Sequence, residues 1–123
     1  MAVDAHVRVE FPARPEFLRL ARLAAADVGS RAGFDYEEIE DLRIAVSELC
    51  AMITGGQDAA VSLSFALSED AVRVEGSTPY EGAELLADDL DLARGLVAAV
   101  VDEHDVSTDG EMARFHLVKR RHH

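Results

Sequence analysis

Glu48 and Met52 are the first residues to ask about chemistry. They stand one helical turn apart in the stretch 41–53, DLRIAVSELCAMI. Ile39, Leu42, Val46, Leu49, Cys50 and Ile53 recur at helical spacing and predict one buried stripe. Asp41, Ala45, Glu48 and Met52 form a second stripe, well off the first. A helix with a dry core face and a second, half-apolar face holding one acid is expected to be covered on both sides, by a ligand, a loop or a partner; on its own Glu48 reads as a surface helical glutamate. The Met52 thioether beside it is a poor ligand for a hard cation, which wants oxygens.

Other chemistries find less. His6, His104 and His116 are far apart in sequence and lack zinc-type spacing. Ser47, Glu48 and Cys50 make no nucleophilic triad. Arg94-Gly95 before an apolar run could offer backbone N–H groups to an anion if Gly95 stood at a helix start. Arg19 and Arg22 are three apart and are expected to share the outer face of one helix. On spacing alone they read equally as solvated arginines or as an interface anchor, since a guanidinium forks two bonds to one carboxylate.

The elements that hold these residues follow from pattern. Val7, Val9 and Phe11 alternate with His6, Arg8 and Glu10, a half-buried strand ended by Pro12 and Pro15. Phe17, Leu20, Ala21, Ala24 and Val28 predict a helix over 16–32, with Gly33 at its C-cap. Asp35 and Glu38 form a capping arrangement for the second helix, which runs to about Ile53 before Gly55-Gly56. Val61, Leu63, Phe65 and Leu67 alternate with small polar residues, and Ala71 to Glu75 returns as a hairpin partner.

Residues 76–87 read as irregular. Asp88, Asp89 and Asp91 then load the start of a third helix, whose apolar face is read as Leu92, Leu96, Ala99 and Val100. A short strand near Val106 and a last strand over 112–118 close the chain. The terminal Arg120-Arg121-His122-His123 is given no structural role. One-face alternation in the strands beside three striped helices predicts a two-layer α/β sandwich, with a mixed, mostly antiparallel sheet and three helices on one face.

Composition sets limits. The 123 residues are read as one domain, 1–123, with 49% hydrophobic content and regular patterning that argue against disorder. No run approaches the ~18 apolar residues of a membrane span. Asp4, His6, Arg8 and Glu10 interrupt anything resembling a signal peptide. The single cysteine, Cys50, is expected as a buried thiol in a cytoplasmic protein. The net charge of −12 is uneven: residues 1–34 carry five arginines against four acids, whereas 35–113 carry twenty acids against three arginines. An acidic body of this kind repels phosphate backbones, so direct nucleic-acid binding is not expected.

The second helix resembles the "LxxAxxExxxNAxxH" helix of bacterial anti-sigma factor serine kinases, small members of the histidine-kinase-like (GHKL) ATPase superfamily. Actinobacterial anti-sigma factors, with helices reading like "DLRLAVDEVC", look closer still. The likeness continues through 7–13, VRVEFPA, the Arg94-Gly95-Leu96 helix and the last strand. It implies the GHKL (Bergerat-type) ATP-binding fold, with Glu48 matching the general base and Met52 replacing the asparagine that holds Mg²⁺. The family's adenine-reading "DxGxG" falls on Val74-Glu75-Gly76-Ser77-Thr78-Pro79, with no Asp and one Gly, and its late "GT" on Ala113-Arg114. Alternation puts Glu75 on the wet face, away from any base.

The resemblance implies an ATP pocket at Glu48, Met52, Gly76, Arg94 and Gly95, binding ATP weakly if at all, with Glu48 a vestigial base and no resident metal. Phosphoryl transfer rests on positioned metal and phosphate contacts, so loss of the amide and the acid together argues against kinase activity. The expected function is that of an anti-sigma factor. It would be a homodimer that holds a stress- or sporulation-type sigma factor through Arg19 or Arg22 and is released by an anti-anti-sigma protein. The alternatives are an active serine kinase acting on that anti-anti-sigma protein, and a pseudo-enzyme that binds some other protein.

Overall fold

Alternation in the strands and helical stripes between them fold into two layers. The structure, a computed structural model, describes residues 5–54, 58–79, 87–109 and 111–122. β1 (Ala5–Pro12) leads through a 3-10 turn (Pro15–Phe17) into α1 (Leu18–Arg31) and α2 (Tyr36–Ile53). β2 (Ala60–Leu67) and β3 (Ala71–Pro79) form a hairpin, and α3 (Ala87–Ala98), β4 (Glu103–Thr108) and β5 (Met112–Arg120) follow. The sheet order is β1-β2-β3-β5-β4, and every strand pairing in it is antiparallel. The expected mixed character is therefore absent from the described sheet.

Val61, Leu63, Phe65, Val72, Val74 and Leu117 are fully buried beneath α1 and α2. The opposite face carries Arg8, Ser64, Glu75, His116 and Asp105 in one continuous cross-strand row. That polar row is the wet side that the alternation predicts.

α1 meets α2 through small residues. Ala21, Ala25, Val28 and Gly29 are its buried positions, and a Cβ at Gly29 would press on Ile39 at 3.2 Å. Gly33 takes φ +81°, the left-handed cap that ends α1. Asp35 and Glu38 then form the predicted capping box at 2.8 and 2.9 Å. Glu38 is itself buried, because its second oxygen accepts the His122 backbone N–H at 2.8 Å.

Three expectations need correction. β3 does not end at Glu75 but runs to Pro79, because its pairing with β5 continues to Pro79↔Met112. α3 does not bury Leu92 and Leu96, which are 81% and 46% exposed, whereas Val97 is buried. The helix is rolled so that Arg94 and Val97, one turn apart, face the sheet, and Arg94 donates to the Val106 carbonyl of β4 at 3.0 Å. The C-terminal residues also have a structural role. Arg120 ends β5, with its N–H on Asp102 at 2.7 Å, and the Arg121 N–H donates to the Asp70 carbonyl at 2.7 Å.

Candidate functional site

The second stripe of α2 faces the α3 side of the molecule. Its first member, Asp41, accepts from Lys119 Nζ at 3.3 Å, and the same ammonium donates to the Val100 carbonyl just past α3 at 2.8 Å. Lys119 is 5% exposed, because odd-numbered residues of β5 point into the core with Ala113, Phe115 and Leu117. One cation thus ties α2, the end of α3 and β5 together. The sequence reading missed it, although the strand parity was there to be read.

Ala45 is buried, and Glu48 and Met52 are half-buried, with Met52 packed against the core cluster. Glu48 makes no ion pair among the described residues. As a general base it would need a reacting hydroxyl held in front of it. Met52, one turn on, supplies no oxygen for a cation that could orient one.

The end of β3 is where a base-reading acid is expected. Gly76 points inward, opposite Phe115 of β5. A Cβ built at Gly76 would collide with the Cε2, Cζ and Cδ2 atoms of the Phe115 ring. The ring fills the volume that any side chain at 76 would need, a carboxylate included. Glu75 does not replace it: the side chain lies on the open face, exposed, between Ser64 and His116 in register. Thr78, buried at the next inward position, donates to the Ala60 carbonyl at 3.0 Å.

Arg94 and Gly95 are also placed differently from the expectation. Gly95 lies well inside α3 rather than at its start, so it offers no free N-terminal N–H cradle. Among the described residues a Cβ there would meet nothing within 4 Å. The Arg94 guanidinium is turned toward β4, and its buried Nε has no hydrogen-bond partner among the described residues. Its charge, after burial, helps hold the His104 imidazole below its ordinary value of 6.5. Arg114 lies on the open face beside Asp109 at 3.4 Å.

On α1 the two arginines part company. Arg19 is exposed and forms no ion pair among the described residues. Arg22 is half-buried and donates to the Ser47 hydroxyl of α2 at 3.1 Å, so it clasps the two helices together beside Glu48. Leu20, expected in the apolar stripe of α1, is instead 43% exposed, and Leu23 and Ile44, which the sequence reading did not single out, also stand exposed on these helices.

Other reactive groups are quiet. Burial pushes the Cys50 thiol up to about 12, which leaves it protonated and inert. No cluster of His, Cys, Asp and Glu able to hold a metal occurs among the described residues. No helix there is long and apolar enough to cross a membrane.

Residues 11–117 match the family described as the histidine kinase-like ATPase domain. Among curated relatives, the serine-protein kinase RsbW of Listeria monocytogenes (serovar 1/2a) is 34% identical over 113 residues, which is 88% of this chain and 66% of the relative. The serine-protein kinases RsbW of Bacillus pumilus and Bacillus subtilis are 39% and 38% identical over 75 and 74 residues. Those matches cover 55% and 56% of this chain, and 46% of each relative. The chain thus spans about half to two thirds of the length of the curated relatives it matches.

Proposed function

This chain belongs to the histidine kinase-like ATPase domain family, and from that premise we propose that it is an anti-sigma factor whose nucleotide pocket has lost its chemistry. It holds a stress- or sporulation-type sigma factor as a cytoplasmic homodimer, and an anti-anti-sigma protein competes for it. The observation that carries this reading is Phe115 lying over Gly76. ATP, which the family implies, does not fit the residues present. The inward position at the end of β3 has no room for an acid, Met52 offers no oxygen ligand, and Gly95 is internal to α3. A site without these groups does not support phosphoryl transfer. The family's protein-binding role does not depend on that pocket, and Arg19 remains free on α1 to serve it.

A second reading is favoured by the kinase activity for which the relatives are named and by Glu48, which stands on α2 where the resemblance puts the general base: a serine kinase acting on the anti-anti-sigma protein. A pseudo-enzyme that binds an unrelated protein is the third. One set of mixtures separates the three. The purified chain is incubated with each sigma factor and each anti-anti-sigma protein of its source genome, with and without Mg²⁺-ATP. Retention of a sigma factor without phosphate transfer supports the first. Transfer abolished by Glu48→Ala establishes the second. Retention of neither partner class leaves the third. Sedimentation of the free chain reads the dimer.

A further inference from the structure

The sheet has two free edges, β1 and β4, and they are finished differently. On β4, the Asp109 N–H donates to the Met112 carbonyl of β5 at 3.0 Å, which continues the register of Thr108 with Ala113. Bonded positions alternate along an antiparallel ladder, so Ser107 and Asp105 turn their backbone groups to β5 and Val106 turns its own outward. That outward carbonyl accepts from Arg94 of α3 at 3.0 Å. An arginine thus closes the middle of this edge to another strand.

β1 has no such cover among the described residues. The Ala13 N–H donates to the Ala59 carbonyl at 2.8 Å, in line with Pro12 opposite Ala60. Phe11, Val9 and Val7 are therefore the bonded positions, and His6, Arg8 and Glu10 turn their N–H and carbonyl groups away from the sheet. No hydrogen bond to those groups occurs among the described residues. The register of β1 with β2 runs unbroken from Ala5 to Pro12, and proline enters only at its end. An uncovered edge of this kind is a template for strand addition.

The side chains on this edge carry a pattern. Arg8 and Glu10 are exposed on the open face and form no ion pair among the described residues, while Val7 and Val9 are half-buried on the helix side. Beside them in register, Ser62, Ser64 and Ala66 of β2 carry no charge. Arg14–Glu16 and Asp27–Arg31 are paired at 3.6 and 2.6 Å. Asp58 stands at the Pro12 end, in a cavity it shares with Arg14, and Glu69 stands at the Ala5 end, in a cavity it shares with Arg31 and Arg121. The middle of the edge is thus left with one cation and one anion, two residues apart.

We infer that a second copy of this chain adds to β1, antiparallel about a two-fold axis through Val9, so that the two sheets become one. Arg8 then stands opposite the partner's Glu10, and Glu10 opposite the partner's Arg8. Each pair exchanges backbone bonds and matches opposite charges. On the helix side Val9 meets the partner's Val9, and Val7 meets the partner's Phe11. Charge selects this register among those the ladder allows. An axis through Arg8 sets arginine against arginine, and one through Glu10 sets glutamate against glutamate. An axis between two residues would set outward-turned backbone groups against inward-turned ones. Pro12, with no N–H to give, falls opposite the partner's His6 and ends the ladder. Arg8-Val9-Glu10 is therefore its own antiparallel complement, which favours a second copy over an unrelated extended segment. The inference rests on the homodimer of the proposed function and goes beyond it in naming the surface and the register.

The test is sedimentation equilibrium of the full chain, with thermal midpoints recorded for each variant. Arg8→Glu and Glu10→Arg each set like charges opposite one another twice, and each is expected to weaken the dimer by about tenfold or more with its midpoint unchanged. The double variant Arg8→Glu/Glu10→Arg should dimerise as wild type. An equal mixture of the two single variants, one acidic and one basic on this strand, should form a heterodimer tighter than either homodimer. Arg73→Glu, exposed two strands in on the same open face, is the control and should leave the dimer unchanged. In amide exchange, Arg8 and Glu10 should be protected in the dimer and exchange freely on dilution, while Val7 and Val9 stay protected in both. A wild-type dimer that ignores both single variants, or one that responds to Arg73→Glu instead, overturns the inference and leaves the homodimer standing. A chain that is monomeric at every concentration reached overturns both, and leaves sigma-factor capture to its own test.

Discussion

Phe115 of β5 lies over Gly76 of β3, its cross-strand partner, in the volume where any side chain at position 76 would stand. The pair closes the inward end of β3 to a base-reading carboxylate and makes that end part of the core.

The pair should be energetically coupled. Gly76→Ala forces a methyl into the ring and is expected to cost about 1–3 kcal/mol of stability, the usual cost of overpacking. Phe115→Ala opens a cavity and is expected to cost about 3–5 kcal/mol. The double variant should be less destabilised than the sum of the two, because each change accommodates the other. Urea denaturation of the three variants reads this directly, and strict additivity would show that the ring and the glycine do not share space.

Arg19 and Arg22 should separate by experiment. Arg22→Ala removes the bond to Ser47 and is expected to cost about 1 kcal/mol of folding stability. Arg19→Ala should stay within about 0.5 kcal/mol of wild type in stability, as exposed helix positions do. In sigma-factor capture the expectation for Arg19→Ala is a loss of roughly 30-fold, since truncating one partner of a buried charge pair costs about 2–5 kcal/mol of binding. Equal stability loss for the two variants would contradict the placement of Arg22.

Lys119 should behave as a structural cation. Lys119→Ala leaves the Val100 carbonyl and Asp41 without their shared donor. The expected destabilisation is about 2–3 kcal/mol, the cost of stranding buried polar groups. Amide exchange should speed up at the C-terminal end of α3 more than in β2 or β3. Uniform exchange across both would mean that Lys119 does not pin α3.

His104 gives a pH dependence with a definite sign. Burial first, and the Arg94 charge second, hold its imidazole below 6.5 in the fold. A depressed folded value means that the unfolded chain binds the proton more readily. The contribution is therefore present above pH 6.5 and lost as pH falls through the folded value. NMR titration should find His104 protonating below 6.5, and Arg94→Gln should move it upward. A downward shift in that variant would contradict the assigned cause.

The legible part of this fold was its alternation and its caps. Val61 to Leu67 announced an inward face because period-two patterning is a local property. Asp35 and Glu38 announced the start of α2 because a capping box is local too. The roll of α3 was not legible. Leu92 and Leu96 are the more hydrophobic stripe, yet Arg94 and Val97 face inward because the Val106 carbonyl and the core select that side. The stretch 74–79 was legible as lacking an aspartate, but the filling of the space at Gly76 by Phe115 depends on the β3–β5 register, which only the fold supplies. The separation of Arg19 from Arg22 likewise required knowing where Ser47 would stand.

The most direct measurement is a calorimetric titration of the chain into the sigma factors of its source genome, run with and without Mg²⁺-ATP. The account predicts that one sigma factor binds with a dissociation constant unchanged by nucleotide, and that nucleotide alone gives no micromolar, Mg²⁺-dependent binding. Failure to bind any sigma factor, or an affinity that moves tenfold when Mg²⁺-ATP is added, would contradict it.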